Sequence, residues 1–375
     1  MTRSITVVGG GYAGLAFIRQ LRARDAGVPI TLIDQNPFHT MLIETHQVAA
    51  ASRSAASVLL PFAQMEGFRF IQARVEGLDP ARRTLATTAG EVPYDVLVLA
   101  VGSVDHDFGV EGVREHCLML HGAADALAIR ERLAALPAEA PVIIAGGGLT
   151  GVELAAHMAL NRPEGRSLTL VEGSPSLLPG LPPHLARAAR RRLGHLGVNV
   201  ITGAPVTRVE AGRAYLADST ALPFGLMVWA CGVRAHPLVA RLVIPTDRAG
   251  RALVGSDLRT PLPDLYVIGD SAAGHPPSAQ AAVQQGRALA DRLTGRMPRP
   301  VRLKGTLVDL GQHQAVGLIG SLALRGWLPG LLKRVNEALW VRQIAGWRAA
   351  GRLLLGLPDQ GSRFESDPVW ADKRG

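Results

Sequence analysis

The sequence predicts an α/β protein of two doubly wound domains in tandem, each with an inserted β-meander, followed by an α-rich C-terminal region. Three observations carry that expectation. A strand–GxGxxG–helix unit occurs twice, from Ile5 to Gly14 (ITVVGGGYAG) and from Val142 to Gly151 (VIIAGGGLTG). Each unit is followed at a similar interval by an apolar strand ending in an acid, Ile30 to Asp34 (ITLID) and Leu168 to Glu172 (LTLVE). Each block closes with an apolar strand running to a glycine, Tyr94 to Gly102 and Phe224 to Gly232. Repetition of strand, glycine turn, helix and acid-tipped strand is the Rossmann-type pattern. A length of 375 residues is enough for two or three domains, and 47% hydrophobic against 19% charged residues excludes a disordered chain.

Within each unit the glycines have separate tasks. Gly9 and Gly146 permit the tight turn, Gly11 and Gly148 let backbone approach a pyrophosphate, and Gly14 and Gly151 allow helix and strand to pack closely. Ala13 and Thr150 lie in the same turns. The phosphates would rest at a helix N-terminus, where unpaired N–H groups and the helix dipole favour negative charge. Asp34 and Glu172 then stand where a carboxylate accepts hydrogen bonds from a ribose diol. A 2′-phosphate would face Glu172 with no Arg or Lys following until Arg187, so the second seat favours NADH over NADPH.

Short β-rich stretches fill the gaps: 69–75 and 84–88 in the first block, 198–201, 206–210 and 214–217 in the second. They predict the two meanders. A third element, Thr260 to Asp270 (TPLPDLYVIGD), is a turn and then a strand ending in Gly269 and Asp270.

With that element the chain resembles the two-dinucleotide-binding-domain flavoproteins, the pyridine nucleotide-disulfide oxidoreductase superfamily. In that superfamily the first fold binds FAD, the second binds NAD(P)H, and the late Gly-Asp strand returns to the FAD domain. The following stretch, Pro276 to Gly286 (PPSAQAAVQQG), narrows the resemblance to type II NADH:quinone oxidoreductases, whose AQxAxQxG helix it matches at Ala279, Gln280, Ala282, Gln284 and Gly286. The loop from Gln35 through His46, the Trp229 to Val233 element and the Lys304-Gly305 step are similar to the same family. Two departures stand out: Ala100-Val-Gly102 replaces the common Ala-Thr-Gly, and the loop after Asp34 lacks a Pro-Leu-Leu-Tyr stretch.

The resemblance implies a domain order of 1–112 and 236–300 for FAD, 113–235 for NAD(H), and 301–375 for a quinone-side region that meets a membrane or forms a homodimer. It implies cofactor contacts at Gly9, Gly11, Ala13, Gly14, Asp34, Gln35, Val75, Ala100, Gly102, Gly269, Asp270 and Ala279, and at Gly146, Gly148, Thr150, Gly151, Glu172 and Gly232. Catalytic expectations fall on Glu153 beside the nicotinamide and flavin rings, on Gln280 and Gln284 as neutral amides for a quinone carbonyl, and on Lys304 as a compact ammonium. The implied activity is hydride transfer from NADH to FAD and then two electrons to a menaquinone- or ubiquinone-class acceptor, without proton pumping. A reductase of a ferredoxin or rubredoxin, or a slow NADH-sensing flavoprotein, is the alternative. No metal-ligand cluster is expected. Cys117 and Cys231 lie too far apart in sequence for a local redox pair, which counts against disulfide reductases and sulfide:quinone chemistry.

The C-terminal region carries most of the net charge of +9, with ten basic residues from Arg296 to Arg352 against Asp309 and Glu337. Its neighbours are Leu and Trp rather than base-stacking and base-reading residues, so a membrane surface is expected and nucleic acid is not. Leu328, Leu331, Leu332, Val335 and Leu339 form one helical stripe, and Trp340, Ile344, Trp347 and Leu354 a second, with a bend near Gly346. Such stripes with basic flanks suit a helix lying in the interface at the cytoplasmic face of the membrane. No apolar stretch reaches the roughly 20 residues of a spanning helix, Met1 to Ser4 leave no room for a signal peptide, and the tail beyond Pro358 reads as loose.

Overall fold

The computed structural model describes residues 3–355. Two five-stranded parallel sheets dominate it. The first runs in the order Leu265–Val267, Val96–Leu99, Ile5–Val8, Ile30–Asp34, Arg69–Gln72, and the second in the order Leu118–Met119, Leu226–Trp229, Val142–Ala145, Leu168–Glu172, Val198–Thr202. In both, the strand leading into a glycine turn is central and fully buried, because helices cover one face and the meander the other, which demands near-continuous apolar runs. The late strand Leu265–Val267 pairs with Val96–Leu99 and so returns to the first sheet.

The meanders differ in detail from the sequence expectation. Arg69–Gln72 and Val198–Thr202 are outer strands of the parallel sheets, paired in register with Ile30–Asp34 and Leu168–Glu172. Their looser burial, with Arg69 and Gln72 open to solvent, is that of the outermost strand of a sheet. Each meander proper has three strands: Val75–Asp79, Thr84–Thr87 and Gly90–Pro93 in the first, Val206–Glu210, Arg213–Leu216 and Ala221–Pro223 in the second. An antiparallel ribbon of Ser103–Asp105 with Val233–Ala235 ties the two halves together.

Helix Tyr12–Arg24, opened by the first glycine turn, packs along helix Ala279–Leu293. The glycine of the AQxAxQxG motif explains how closely: a Cβ on Gly286 would collide with the carbonyl of Ala13 and come within 2.9 Å of the Phe17 nitrogen. Beyond it, Gly305–Asp309, Ala315–Ile319 and Leu322–Gly326 make an antiparallel sheet that leads into helix Trp327–Leu355. That helix breaks at Gly346 (φ 83°, ψ 178°), where the sequence places the bend. Its first leucine stripe is exposed, from 36% at Leu332 to 47% at Leu331. The second stripe divides: Trp340 and Ile344 are buried against the protein, whereas Trp347 is 70% exposed. No helix among the described residues is long and apolar enough to cross a membrane.

Candidate functional site

The two glycine turns are built alike. Gly9 (φ +103°) and Gly146 (φ +107°) have left-handed backbone, and a Cβ on either would strike the strand opposite, at Ala100 and Ala230. Gly14 and Gly151 lie against the carbonyls of Gly9 and Gly146. The middle glycines are different: a Cβ on Gly11 or Gly148 would meet nothing within 4 Å. Packing therefore requires the first and third glycines, while the second faces the open space that a pyrophosphate needs, and both turns pass this test as dinucleotide cradles. The acids brace them. Asp34 accepts from the Gly10 and Asn36 amides at 2.7 and 2.8 Å, and Glu172 accepts from the Gly147 and Ser174 amides at 2.5 and 2.6 Å.

Strand ends around the first cradle place the remaining expected positions. Ala100 bonds Val8 at the sheet, Gly102 accepts from the Ser271 hydroxyl, Gln35 follows the acid, and Val75 opens the meander, half-buried. Gly269 donates to the buried amide oxygen of Gln285 at 2.6 Å, a partner the sequence reading passed over. Asp270 accepts from Ser103 and from the Ser278 amide, and burial raises its pKa. It lines a cavity of about 530 Å³ with Ser103, Arg234, Arg251 and His275. Ala279 starts the helix that Ser278 caps. In the second fold Thr150 is exposed at the turn, and Gly232 (φ +151°) lies under the Phe108 ring.

Gln280 and Gln284 both make hydrogen bonds within the chain. Gln284 donates to the Arg302 carbonyl at 3.0 Å and accepts from its amide at 2.8 Å, while Gln280 accepts from the Lys304 amide. Both amides thus pin the segment 302–304 to the helix, because an extended chain entering the last sheet has backbone groups to satisfy. Lys304 itself is exposed. Among the described residues, the ammonium that reaches the interior is Lys333, whose Nζ lies 2.7 Å from Oε1 of Glu153.

Glu153, on helix Leu149–Asn161, is buried at 7% exposure and also accepts from the Asp309 amide at 2.9 Å. Burial raises its pKa, with Lys333 and that amide pulling the other way. Burial would lower Lys333, but Glu153, Glu44, Glu337 and Asp309 outweigh it and hold the ammonium above its ordinary value. His157 bridges Ser52 at 3.0 Å and Asp309 at 3.1 Å. His46 stands 3.6 Å from Glu153 and is pushed down to about 3, by burial first and then by Lys333. His46, His157 and Asp309 offer donor atoms within 4.8 Å of one another, yet Lys333 occupies the same cluster and both nitrogens of His157 are taken by Ser52 and Asp309, with His46 packed edge-on beside its ring.

A second link missing from the sequence reading joins the C-terminal helix to the first cradle. Trp340 Nε1 can only donate, and it lies 3.2 Å from Nε2 of His39. Nε2 is therefore the acceptor, and Nδ1–H donates to the Gly10 carbonyl at 2.9 Å. His39 is neutral, pushed down to about 4 by burial. Tyr12 packs edge-on to it at 4.9 Å.

Cys117 and Cys231 are free, and burial pushes both thiols up to about 12, far from the thiolate a redox cysteine needs. Residues 3–286 match the family described as pyridine nucleotide-disulphide oxidoreductase. The chain belongs to that family. It is 28% identical over 353 residues to the NADH dehydrogenase-like protein YutJ of Bacillus subtilis, covering 90% of this chain and 98% of the relative. It is also 28% identical over 388 residues to a type II NADH:quinone oxidoreductase of Staphylococcus aureus, covering 92% and 96%. In structure it is similar to NDH2 from Plasmodium falciparum in complex with NADH, with a TM-score of 0.84, 18% identity and coverage of 95% and 97%.

Proposed function

We propose that this oxidoreductase takes hydride from NADH, held in the second cradle, through FAD in the first, and delivers two electrons to a quinone. The observation that carries the reading is the pairing of two complete cradles with a buried Glu153–Lys333 ion pair one turn beyond the second. FAD, when bound, supplies the chemistry of accepting a hydride and releasing its electrons to the acceptor.

The chain's own residues bind, orient and manage protons. Asp34 and Glu172 orient the turns toward the ribose hydroxyls, and Glu172 opposes a 2′-phosphate. Asp270 sits at the cavity wall for the ribityl side of the flavin. Glu153 holds or gives up a proton near the reacting rings, under the control of Lys333. Gln280 and Gln284 fix the segment 302–304 that closes the acceptor side.

The exposed Leu328, Leu331, Leu332, Val335 and Leu339 support peripheral attachment to a membrane, where quinone resides. A docking face for a small electron-carrier protein would be polar and basic at its centre, which this face is not, so the ferredoxin-type alternative is the weaker reading. Stopped-flow reduction of the FAD-loaded protein by NADH, followed by reoxidation with menaquinone and ubiquinone analogues, tests the proposal. Flavin that NADH bleaches but no quinone recolours would overturn it.

A further inference from the structure

Three of the four buried side-chain atoms without a hydrogen-bond partner among the described residues fall in one place: Oε1 of Glu44, Oε1 of Glu337 and Nε2 of His46. Glu44 is 1% and Glu337 3% exposed, and their Oε1 atoms lie 3.6 and 3.9 Å from Lys333 Nζ. The groups facing them from every neighbouring element are Tyr12, His46, Arg53, Glu153, His157, Asp309 and Lys333. Fully ionised, four carboxylates would confront two cations, Lys333 and Arg53, with His39 and His46 neutral. A buried excess of negative charge is expensive enough that carboxyls take up protons instead.

The remaining partners show which carboxyl does so. Asp309 is held ionised by His157, and Glu153 has both Lys333 and a backbone amide. Oε2 of Glu44 accepts from Arg53 at 2.9 Å and Gln47 at 2.7 Å. Only the two unpartnered oxygens remain, one from each of Glu44 and Glu337, and burial together with Glu44 drives Glu337 well above the usual carboxyl range.

We propose that Glu44 and Glu337 share one proton beside Lys333, and that this proton passes to Glu153 as the acceptor is reduced, making the pair a buried proton store for the reaction. The second half rests on the quinone reading. The stoichiometry fits: NADH + H⁺ + quinone → NAD⁺ + quinol consumes one proton beyond the hydride. In the transfer, Lys333 gives a proton to the Glu153 carboxylate and regains one from the pair. The net change in this step is neutral Glu337 plus ionised Glu153 becoming ionised Glu337 plus neutral Glu153, with no electron moved; Glu153 then gives that proton to the reduced quinone and is a carboxylate again. A solvent proton then refills the pair.

Infrared spectroscopy of the oxidised, FAD-loaded protein in H₂O and D₂O tests the store without turnover. The wild type should show an exchangeable neutral-carboxyl band that Glu337→Gln and Glu44→Gln each remove, since either change leaves a single carboxylate of the pair, with no second one to share a proton. A band that survives both substitutions overturns the shared proton. Kinetically, the ratio of quinone turnover to turnover with ferricyanide, which takes electrons and no proton, should fall about a hundredfold in Glu337→Gln, at the lower edge of what a positioned proton donor contributes. An unchanged ratio overturns delivery to Glu153. A wild type that reduces no quinone would instead sink the acceptor reading, and the infrared band would still decide whether the pair holds its proton.

Discussion

Replacing Lys333 by Met removes a buried ammonium and leaves its carboxylate partners in place. At 2.7 Å from Glu153 the attraction is about 6 kcal/mol for an effective dielectric near 20. The ammonium's own desolvation cost is recovered on substitution, so the net loss should be about 4 kcal/mol, within the usual range for breaking a buried pair. For a chain of this length, that corresponds to a fall in Tm of about 5 °C. The penalty should also depend on pH. Glu153 and Glu337 already have raised pKa values in the folded protein, and losing the cation raises them further. Above the ordinary carboxyl pKa the folded variant then binds more protons than the unfolded chain, so its stability declines as pH rises, and the penalty should be larger near about pH 8 than near about pH 5. Thermal unfolding of the FAD-loaded protein at both pH values, with Lys304→Met as the exposed control, measures this. A Lys333→Met protein that melts with the wild type at both, or with an equal deficit at both, would refute the account of the cluster.

Glu172→Ala takes the acceptor from the Gly147 and Ser174 amides, and should raise the KM for NADH about tenfold, as expected for loss of a charge-assisted hydrogen bond, while bound FAD measured by absorbance is unchanged. His39 and His46 are neutral in the folded protein, so their contribution is complete above about pH 6.5 and is lost as pH falls toward about 4 and 3; each can withdraw up to roughly 3 kcal/mol, and denaturant midpoints between neutral pH and pH 4 should show it, with a shallower slope in His46→Gln. Leu331→Glu with Val335→Glu should cut co-sedimentation with anionic vesicles by at least about tenfold while leaving flavin reduction by NADH intact. Deleting the helix would be a poor substitute, since it also removes Lys333 and Trp340 from the interior.

The cradles were legible because their physics is local. A turn that admits only glycine, a strand buried on both faces and an acid one strand later leave their marks at fixed spacing, and Gly9, Gly11, Gly14, Asp34 and their counterparts in the second half lie where those marks place them. The edge strands were misread because Arg69 and Gln72 flank only two apolar residues, a pattern common to a sheet edge and a free hairpin. The buried lysine was passed over for a different reason. Only three lysines occur in the chain, and that rarity pointed to Lys333 as much as to Lys304. Glu44, Asp309 and Glu337 gave no sequence signal at all, because their meaning comes from long-range packing that brings residues 44, 153, 309 and 333 together.

Helix Trp327–Leu355 shows why the lysine was hidden. Period 3.6 places Lys333, Glu337, Trp340 and Ile344 on one face and Leu328, Leu331, Leu332, Val335 and Leu339 on the other, and hydrophobicity alone would turn the leucines inward. The fold does the reverse, burying the face that carries the charges. Such an inverted helix is tenable only under two conditions: the buried charges must have partners, and the exposed leucines must have a cover other than water. Glu153, Glu44 and His39 meet the first inside the protein. The second must be met from outside, which the proposed lipid surface would do. The ion-pair cluster and the exposed leucine face are therefore two consequences of one orientation. A leucine face that stays in water without binding vesicles or a second copy would count against the packing of Lys333 as well as against the attachment.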